Sequence, residues 1–215
     1  MPTSAATQGS DQGSVFVVDD DPSVRKALTR LLGSVGMAVE SFSTADEFLA
    51  SGRDDSPACL LLDIEMPGLT GLELQDELHA RNLDPAIVFM TGHGTVPRSV
   101  QAMKKGAVDF LQKPFEEENL LAAIRQALAK DTANKQAARE LQVLEDRRQT
   151  LTSRELEVFE LVVLGLLNKQ IAGRLGTSEK TIKVHRGRVM RKMKADSLAD
   201  LVRMSERLGE THAAE

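Results

Sequence analysis

Ala58-Cys59-Leu60-Leu61-Leu62-Asp63-Ile64-Glu65-Met66-Pro67-Gly68 joins five apolar residues to a single acid and a Met-Pro-Gly turn. A short apolar run bounded by turn residues has the pattern of a strand buried on both faces. Such strands belong to parallel sheets covered by helices, whose ligands sit beyond the carboxyl ends of the strands. Asp63 is therefore placed where an open α/β sheet keeps its chemistry. One acid there could equally cap a loop, so the reading turns on what else ends at the same edge.

Working outward, Val15-Phe16-Val17-Val18 is a second apolar run, and it ends in Asp19-Asp20-Asp21. Val24, Leu28, Leu31 and Leu32 recur at helical spacing, and Gly33 to Gly36 closes that helix. Asp21 reads as its cap, because Pro22 follows at a first-turn position. Val39 to Phe42 is a candidate strand, and Ser43 or Thr44 with Glu47 can cap the helix after it. Beyond Asp63 come a helix near Gly71 to Ala80 and a buried strand, Ala86 to Met90, ending in Thr91-Gly92-His93-Gly94. His93, between two glycines, reads as a loop residue. A helix from about Pro97 to Lys105 follows, then a short strand, Phe110 to Gln112, ending in Lys113-Pro114-Phe115. A helix starts near Glu116, where three glutamates suit the positive end of the helix dipole. Strands alternating with helices in this way make a doubly wound, five-stranded parallel sheet.

The chain has 215 residues, enough for one large domain or two ordinary ones, with 41% hydrophobic and 27% charged residues. No apolar run approaches the ~20 residues that cross a bilayer. Residues 1–13 are small and polar, lack the pattern of a signal peptide and are expected to be disordered. The single cysteine, Cys59, lies inside the apolar run, which fits a reducing cytoplasm and an inert thiol. The net charge of −5 hides an asymmetry: residues 1–149 carry 15 Lys+Arg against 23 Asp+Glu, residues 150–215 carry 12 against 9. Within 167–194 nine basic residues face one acid, Glu179. An acidic front and a basic back suggest two domains with different partners.

Strand ends supply Asp19, Asp20, Asp63, Thr91 and Lys113 to one edge. Carboxylates gathered there repel unless a cation neutralises them, and a hard, oxygen-liganded ion such as Mg²⁺ fits. An aspartate beside such an ion can attack a phosphoryl group. The transferred group has three equatorial oxygens, which the metal, the Lys113 ammonium and the Thr91 hydroxyl can each meet. Residues 14–130 resemble the receiver domain of bacterial two-component response regulators. The resemblance is carried by Val-Val-Asp-Asp-Asp (17–21), Asp-Ile-Glu-Met-Pro-Gly (63–68), Thr-Gly-His-Gly (91–94), Gly-Ala-Val-Asp-Phe-Leu (106–111) and Lys-Pro-Phe (113–115). Each motif alone is weak; five in order are specific. The resemblance implies a flavodoxin-like α/β fold with Asp63 as phosphoacceptor. It implies Mg²⁺ (or Mn²⁺) held by Asp20, by Asp19 mainly through water, by Asp63 and by the Glu65 carbonyl. Thr91 would be the switch hydroxyl, Lys113 the ion-pairing lysine and Phe110 the aromatic switch. Thr95 stands where relatives often carry an acid, a difference confined to one loop contact.

In the basic segment Thr152 and Glu155 form a capping box, and Val158, Leu161 and Val162 make an apolar stripe ended by Gly165. A short helix, about Asn168 to Leu175, turns inward Ile171, Ala172 and Leu175. Gly176-Thr177-Ser178 is a tight turn with Ser178 as a cap. In the helix over about 179–194, Ile182, Val189 and Met193 face inward, with Val184 or Met190 beside them. Lys180, Lys183, Arg186 and Arg188 project outward. Two short helices joined by a glycine turn, the second basic, read as a helix-turn-helix suited to phosphates and guanine edges. Residues of roughly 149–205 resemble the all-α LuxR-type helix-turn-helix through Leu-Thr-x-Arg-Glu-x-Glu-Val (151–158), Gly-x-x-Asn-Lys-x-Ile-Ala (165–172) and Lys-Thr-Ile-Lys-Val-His-Arg (180–186). This implies DNA contacts from Lys169, Lys180, Thr181, Lys183, His185, Arg186 and Arg188, with His185 equally able to be a packing residue. Leu198, Leu201, Val202 and Met204 form a stripe that is either a dimer contact or core.

A receiver joined to a LuxR-type domain resembles the FixJ/NarL family of transcriptional regulators, with wording closest to its FixJ-like branch. The expected organisation is a tail (1–13), a receiver (14–130), a helical linker (131–148), the DNA-binding domain (149–207) and a flexible end (208–215). The linker pairs with a second chain or stands as a solvated helix or loose tether. The resemblance implies a sensor histidine kinase as phosphodonor, promoter DNA as ligand, a homodimer on phosphorylation, RNA polymerase as a further partner, and no membrane. The chain would transfer a phosphoryl group to itself without turning over a small substrate. Two other classes are an aspartyl phosphatase, and a phosphorylation-dependent adaptor whose basic helix meets protein or RNA. Haloacid-dehalogenase-like phosphatases put the acid after the first strand, unlike Asp63, and duplex-DNA selectivity separates the adaptor.

Overall fold

The structure, a computed structural model, describes residues 13–52, 58–81, 83–92, 100 and 102–209. The start (1–12), His93, Thr95, positions 97–99 and 101 of the helix expected at Pro97 to Lys105 and the end (210–215) lie outside the described residues; positions 100 and 102–104 are helical. The chain divides into two compact units, Met1–Lys135 and Gln136–Glu215.

In the first unit, β1 (Ser14–Val18), β2 (Ala38–Phe42), β3 (Ala58–Asp63), β4 (Ala86–Thr91) and β5 (Asp109–Gln112) form one parallel sheet in the order β2-β1-β3-β4-β5. Every residue of β3 and β4 is buried, as their unbroken apolar runs require of central strands covered on both faces. The edge strand β2 is mostly exposed, with Phe42 its one buried residue. Val15, Val17, Cys59, Leu61, Val88 and Met90 build the core on one side, and Leu60, Leu62, Ile87 and Phe89 build it on the other. A fully buried side chain such as Phe89 contributes about 1.5–3 kcal/mol in water exclusion.

Local chemistry sets the helix ends. The Asp21 carboxylate accepts from the Ser23 amide at 2.7 Å and Pro22 opens α1 (Pro22–Ser34). Thr44 caps α2 (Ala45–Ala50), accepting from the Glu47 amide, while the Glu47 carboxylate reaches back to the amide and hydroxyl of Ser43. Thr70 and Glu73 form a full capping box on α3 (Gly71–Ala80). Helix α4 (Glu117–Gln149) runs unbroken from the sheet through the stretch expected as a linker. Its buried Asp131 accepts from the Ala58 amide at 2.8 Å, at the start of β3. Leu144 is buried, whereas Leu141 and Val143 are exposed. Among the described residues no helix is long and apolar enough to cross a membrane.

The second unit holds the end of α4 with α5 (Ser153–Val163), α6 (Asn168–Arg174), α7 (Glu179–Met193) and α8 (Leu198–Arg207). Val158, Phe159, Val162, Ile171, Ile182, Val189, Met193 and Leu201 pack into its core. Gly165 (φ +82°) breaks the chain between α5 and α6, and Gly176 (φ +62°) turns it into α7, where Ser178 accepts from the Thr181 amide at 3.1 Å. Of the two residues weighed beside Ile182 and Val189, Met190 packs on the core and Val184 faces out. Val202 and Met204 also pack there, and Leu198 is exposed.

Candidate functional site

The strand order reverses between β1 and β3: the chain leaves β1 for β2 on one side and returns to β3 on the other. A crevice opens at such a switch point beyond the carboxyl ends of the strands. Asp19 and Asp20 follow β1 directly, Asp63 is the last residue of β3, Thr91 the last of β4, and Lys113 follows β5. Register keeps these ends level, with Asp63 opposite Met90 and Thr91 opposite Gln112. Carboxylate oxygens of Asp19, Asp20 and Asp63 lie within 4.8 Å of one another.

The Lys113 ammonium bridges the cluster, donating to Asp19 Oδ2 at 2.6 Å and to Asp63 Oδ2 at 3.0 Å. Asp19 is fully buried and held from all sides: its Oδ1 accepts from the Asp21 amide at 2.9 Å, and its carbonyl accepts from Arg25 at 2.7 Å. Asp20 is exposed at the rim. Asp63 Oδ1 accepts a long bond from the Glu65 amide, 3.3 Å. Burial raises the Asp63 pKa above the ordinary carboxylate value and Asp19 adds to it, with Lys113 opposing both. For Lys113, burial alone would lower the pKa, but hydrogen bonds to Asp19 and Asp63 outweigh it and raise it. The Thr91 side chain is buried, and its carbonyl accepts from the Lys113 amide at 2.7 Å, tying two members of the site through the backbone. Phe110 is half-buried against the core on the Leu62 side.

Carboxylates outnumber the one lysine that touches them. All donors are oxygens and Asp20 is open to solvent, a set that fits a hard divalent cation such as Mg²⁺. Asp19 and Asp20, just beyond β1, and Asp63, at the end of β3, would hold such an ion, and Glu65 lies two residues beyond Asp63.

A positioning residue that sequence reasoning missed is Gly71. A Cβ there would lie 2.2 Å from the Asp63 carbonyl oxygen and 3.1 Å from Ile64 Cα, both backbone atoms that cannot step aside. Only a glycine lets α3 seat against the acid's own backbone, where the Gly71 amide donates to the Ile64 carbonyl at 3.1 Å. Its signal in the sequence was a glycine at a helix start directly after a threonine cap.

In the second unit the predicted basic residues divide. Lys169, Lys180, Lys183 and Arg188 are exposed, and Thr181 is half-exposed. Arg186, expected to project outward, is half-buried because its guanidinium donates to Asn168 Oδ1 at 3.2 Å, joining α6 to α7. His185 is half-buried, and its Nδ1 is sealed from solvent with no partner among the described residues. Lys192 is spent on the fold, donating to Glu155 at 2.5 Å and to the Thr150 carbonyl at 2.7 Å. With Lys192 and the Thr152 amide on it, the Glu155 carboxyl is held down to about 2.

Residues 15–125 match the family described as response regulator receiver domain, and residues 149–205 match the bacterial regulatory proteins of the luxR family. A receiver followed by a LuxR-type helical domain defines a transcriptional response regulator. The chain belongs to the FixJ/NarL-type response regulators. It is 49% identical over 203 residues to nodulation protein W of Bradyrhizobium diazoefficiens, covering 94% of this chain and 89% of that protein. It is 45% identical over 191 residues to the transcriptional regulatory protein FixJ of Azorhizobium caulinodans, covering 89% and 90%. Among solved structures, the low-resolution structure of response regulator StyR matches with a TM-score of 0.80 at 49% identity, covering 90% of this chain and 98% of that one. The receiver implies a sensor kinase partner and the LuxR-type domain implies DNA binding; such regulators are not turnover enzymes on small molecules.

Proposed function

We propose that Asp63 is the phosphoacceptor. Its carboxylate oxygen attacks the phosphorus of a phosphohistidine on the sensor kinase; the new O–P bond forms as the P–N bond breaks, and the imidazole leaves with the electron pair. Lys113, already hydrogen-bonded to Asp63, keeps the nucleophile ionised against burial and meets a phosphoryl oxygen as charge develops. The Thr91 hydroxyl turns to a second oxygen, and Phe110 follows it inward. Asp19, Asp20, Asp63 and the Glu65 carbonyl would hold Mg²⁺ (or Mn²⁺). When bound, that ion supplies positive charge to the phosphoryl oxygens. The observation that carries this reading is the single lysine bridging two acids from different strands at the switch point.

In the basic unit, Lys169, Lys180, Lys183 and Arg188 meet phosphates or guanine edges of promoter DNA, and Thr181 and the exposed Val184 add groove contacts. Arg186 and His185 border that face, Arg186 holding α6 and α7 at a fixed angle through Asn168. Phosphorylated receivers pair through the face around 97–105 and 110–112, and two copies then read an inverted repeat and act on transcription by RNA polymerase. Residues 14–130 act as the receiver, 131–148 as the connection and 149–207 as the DNA reader, in the cytoplasm.

The test is light scattering and duplex-DNA binding, with Mg²⁺, before and after a small-molecule phosphodonor. The expected result is dimerisation and tighter, sequence-selective, salt-sensitive DNA binding in wild type only. Full response by Asp63→Asn would sink the reading.

A further inference from the structure

Helix α7 carries a glycine, Gly187, ninth of its fifteen residues. Glycine in a helix interior is costly, because it gives up the most backbone freedom on folding and covers none of the backbone from water. Among the described residues nothing asks for it: apart from its chain neighbours and its own helix backbone, a Cβ built on Gly187 meets no atom within 4 Å. Two other helical glycines, Gly33 and Gly173, also stand in open space, but each is the penultimate residue of its helix, where glycine is cheap. Gly187 alone of these three sits in a helix interior with no packing reason.

Its position supplies the reason. Lys180, Val184, Gly187 and Arg191 follow at intervals of four, three and four residues, with Arg188 next to Gly187 and four residues after Val184, so they share one face, and all are exposed. Lys183 borders them. The centre of the most basic face in the unit is therefore bare backbone, flanked by long cationic side chains that reach past it. We propose that Gly187 is the point of closest approach between α7 and duplex DNA, and so a residue that sets sequence specificity. Without a side chain there, the helix axis sinks toward the base edges of the major groove, and its neighbours reach bases and not only phosphates. A side chain at 187 would act as a spacer, leaving phosphate contacts within reach of flexible lysines and arginines while lifting the helix from the bases. This rests on the reading of α7 as the recognition helix.

The experiment uses the full chain with Mg²⁺ and a small-molecule phosphodonor. Wild type enriches duplexes from a randomised library; the enriched duplex and a non-enriched duplex of equal length are then titrated with wild type, Gly187→Ala, Gly187→Ser and Gly33→Ala, and each protein is melted. Gly187→Ala is expected to melt above wild type and yet bind the enriched duplex roughly 5- to 100-fold more weakly, with affinity for the non-enriched duplex unchanged. Gly187→Ser follows the same direction in DNA binding, and Gly33→Ala changes no DNA affinity. A helix glycine with no role outside the fold would give only the rise in melting temperature. Equal affinity of Gly187→Ala and wild type for the enriched duplex, or equal losses on both duplexes, would overturn the proposal while leaving DNA binding intact. If wild type enriches no duplex, the DNA-binding reading fails and this inference fails with it.

Discussion

Each unit has a buried carboxylate bonded to a lysine, and the two pairs are put to opposite uses. In the receiver, Lys113 is shared between Asp19 and Asp63, a third acid stands beside them, and Asp63 has its pKa raised. In the helical unit, Glu155 is the one carboxylate on Lys192 among the described residues, closes a capping box with Thr152, and is held down to about 2. Both pairs contain the same functional groups. The difference lies in how many negative charges each lysine must serve. A carboxylate paired with a lysine that serves no other acid already has its charge balanced and is structural. A carboxylate sharing its cation at a sheet edge gains from any further positive charge or electrophile that arrives.

The largest effect that could break this contrast is at the acid itself. Asp63→Asn is expected to abolish phosphorylation by a small-molecule phosphodonor, read as loss of the mass shift on the intact protein; a full mass shift would place the acceptor elsewhere. Lys113→Ala removes the shared cation and should slow phosphorylation on the order of 10²-fold, measured with saturating Mg²⁺. Gly71→Ala tests whether backbone approach holds Asp63 in place. Its Cβ must displace α3 from the Asp63 carbonyl, so the receiver should lose about 1–3 kcal/mol in denaturant melts and phosphorylate more slowly than wild type.

The contrast sharpens at Glu155. Its folded pKa lies below the ordinary value of 4.5, so the stabilisation is fully present above about 4.5 and is lost as pH falls toward 2. Glu155→Gln should cost about 1.5–3 kcal/mol at neutral pH. Calorimetry of the helical unit's transition should then show a smaller fall in melting temperature for the variant than for wild type between pH 4.5 and 2. The smallest effect is at the surface: Lys183→Ala should weaken binding to all duplexes alike and reduce the salt slope by about 1. A variant with an unchanged slope would remove Lys183 from the phosphate contacts.

The patterns that were legible in the chain share a cause: each is local or rests on one periodicity. The apolar run into Asp63 specifies a central strand because it has no polar position to turn toward water, and β3 is buried throughout. The Asp21, Thr44, Thr152 and Ser178 helix starts follow from side chains that reach only two or three residues along the chain. The charge asymmetry separated an acidic front from a basic back. The gathering of Asp19, Asp63 and Lys113 was legible because parallel strands bring all their carboxyl ends to one edge.

What only the tertiary structure decided concerns long side chains and close backbones. Counting basic residues cannot tell that Lys192 folds back onto Glu155 and that Arg186 reaches Asn168, while Lys180 and Lys183 stay free to point outward. Lysine and arginine have enough length and rotatable bonds to choose between solvent and a neighbouring helix, and the choice depends on what that helix offers. Likewise, Val184 and Met190 fit the helical period equally well, and packing against the rest of the core admits only Met190. Gly71 and Gly187 are identical letters in the sequence. One lies 2.2 Å from a carbonyl it could not otherwise approach and the other opens onto empty space, because steric exclusion depends on which atoms arrive from elsewhere in the fold.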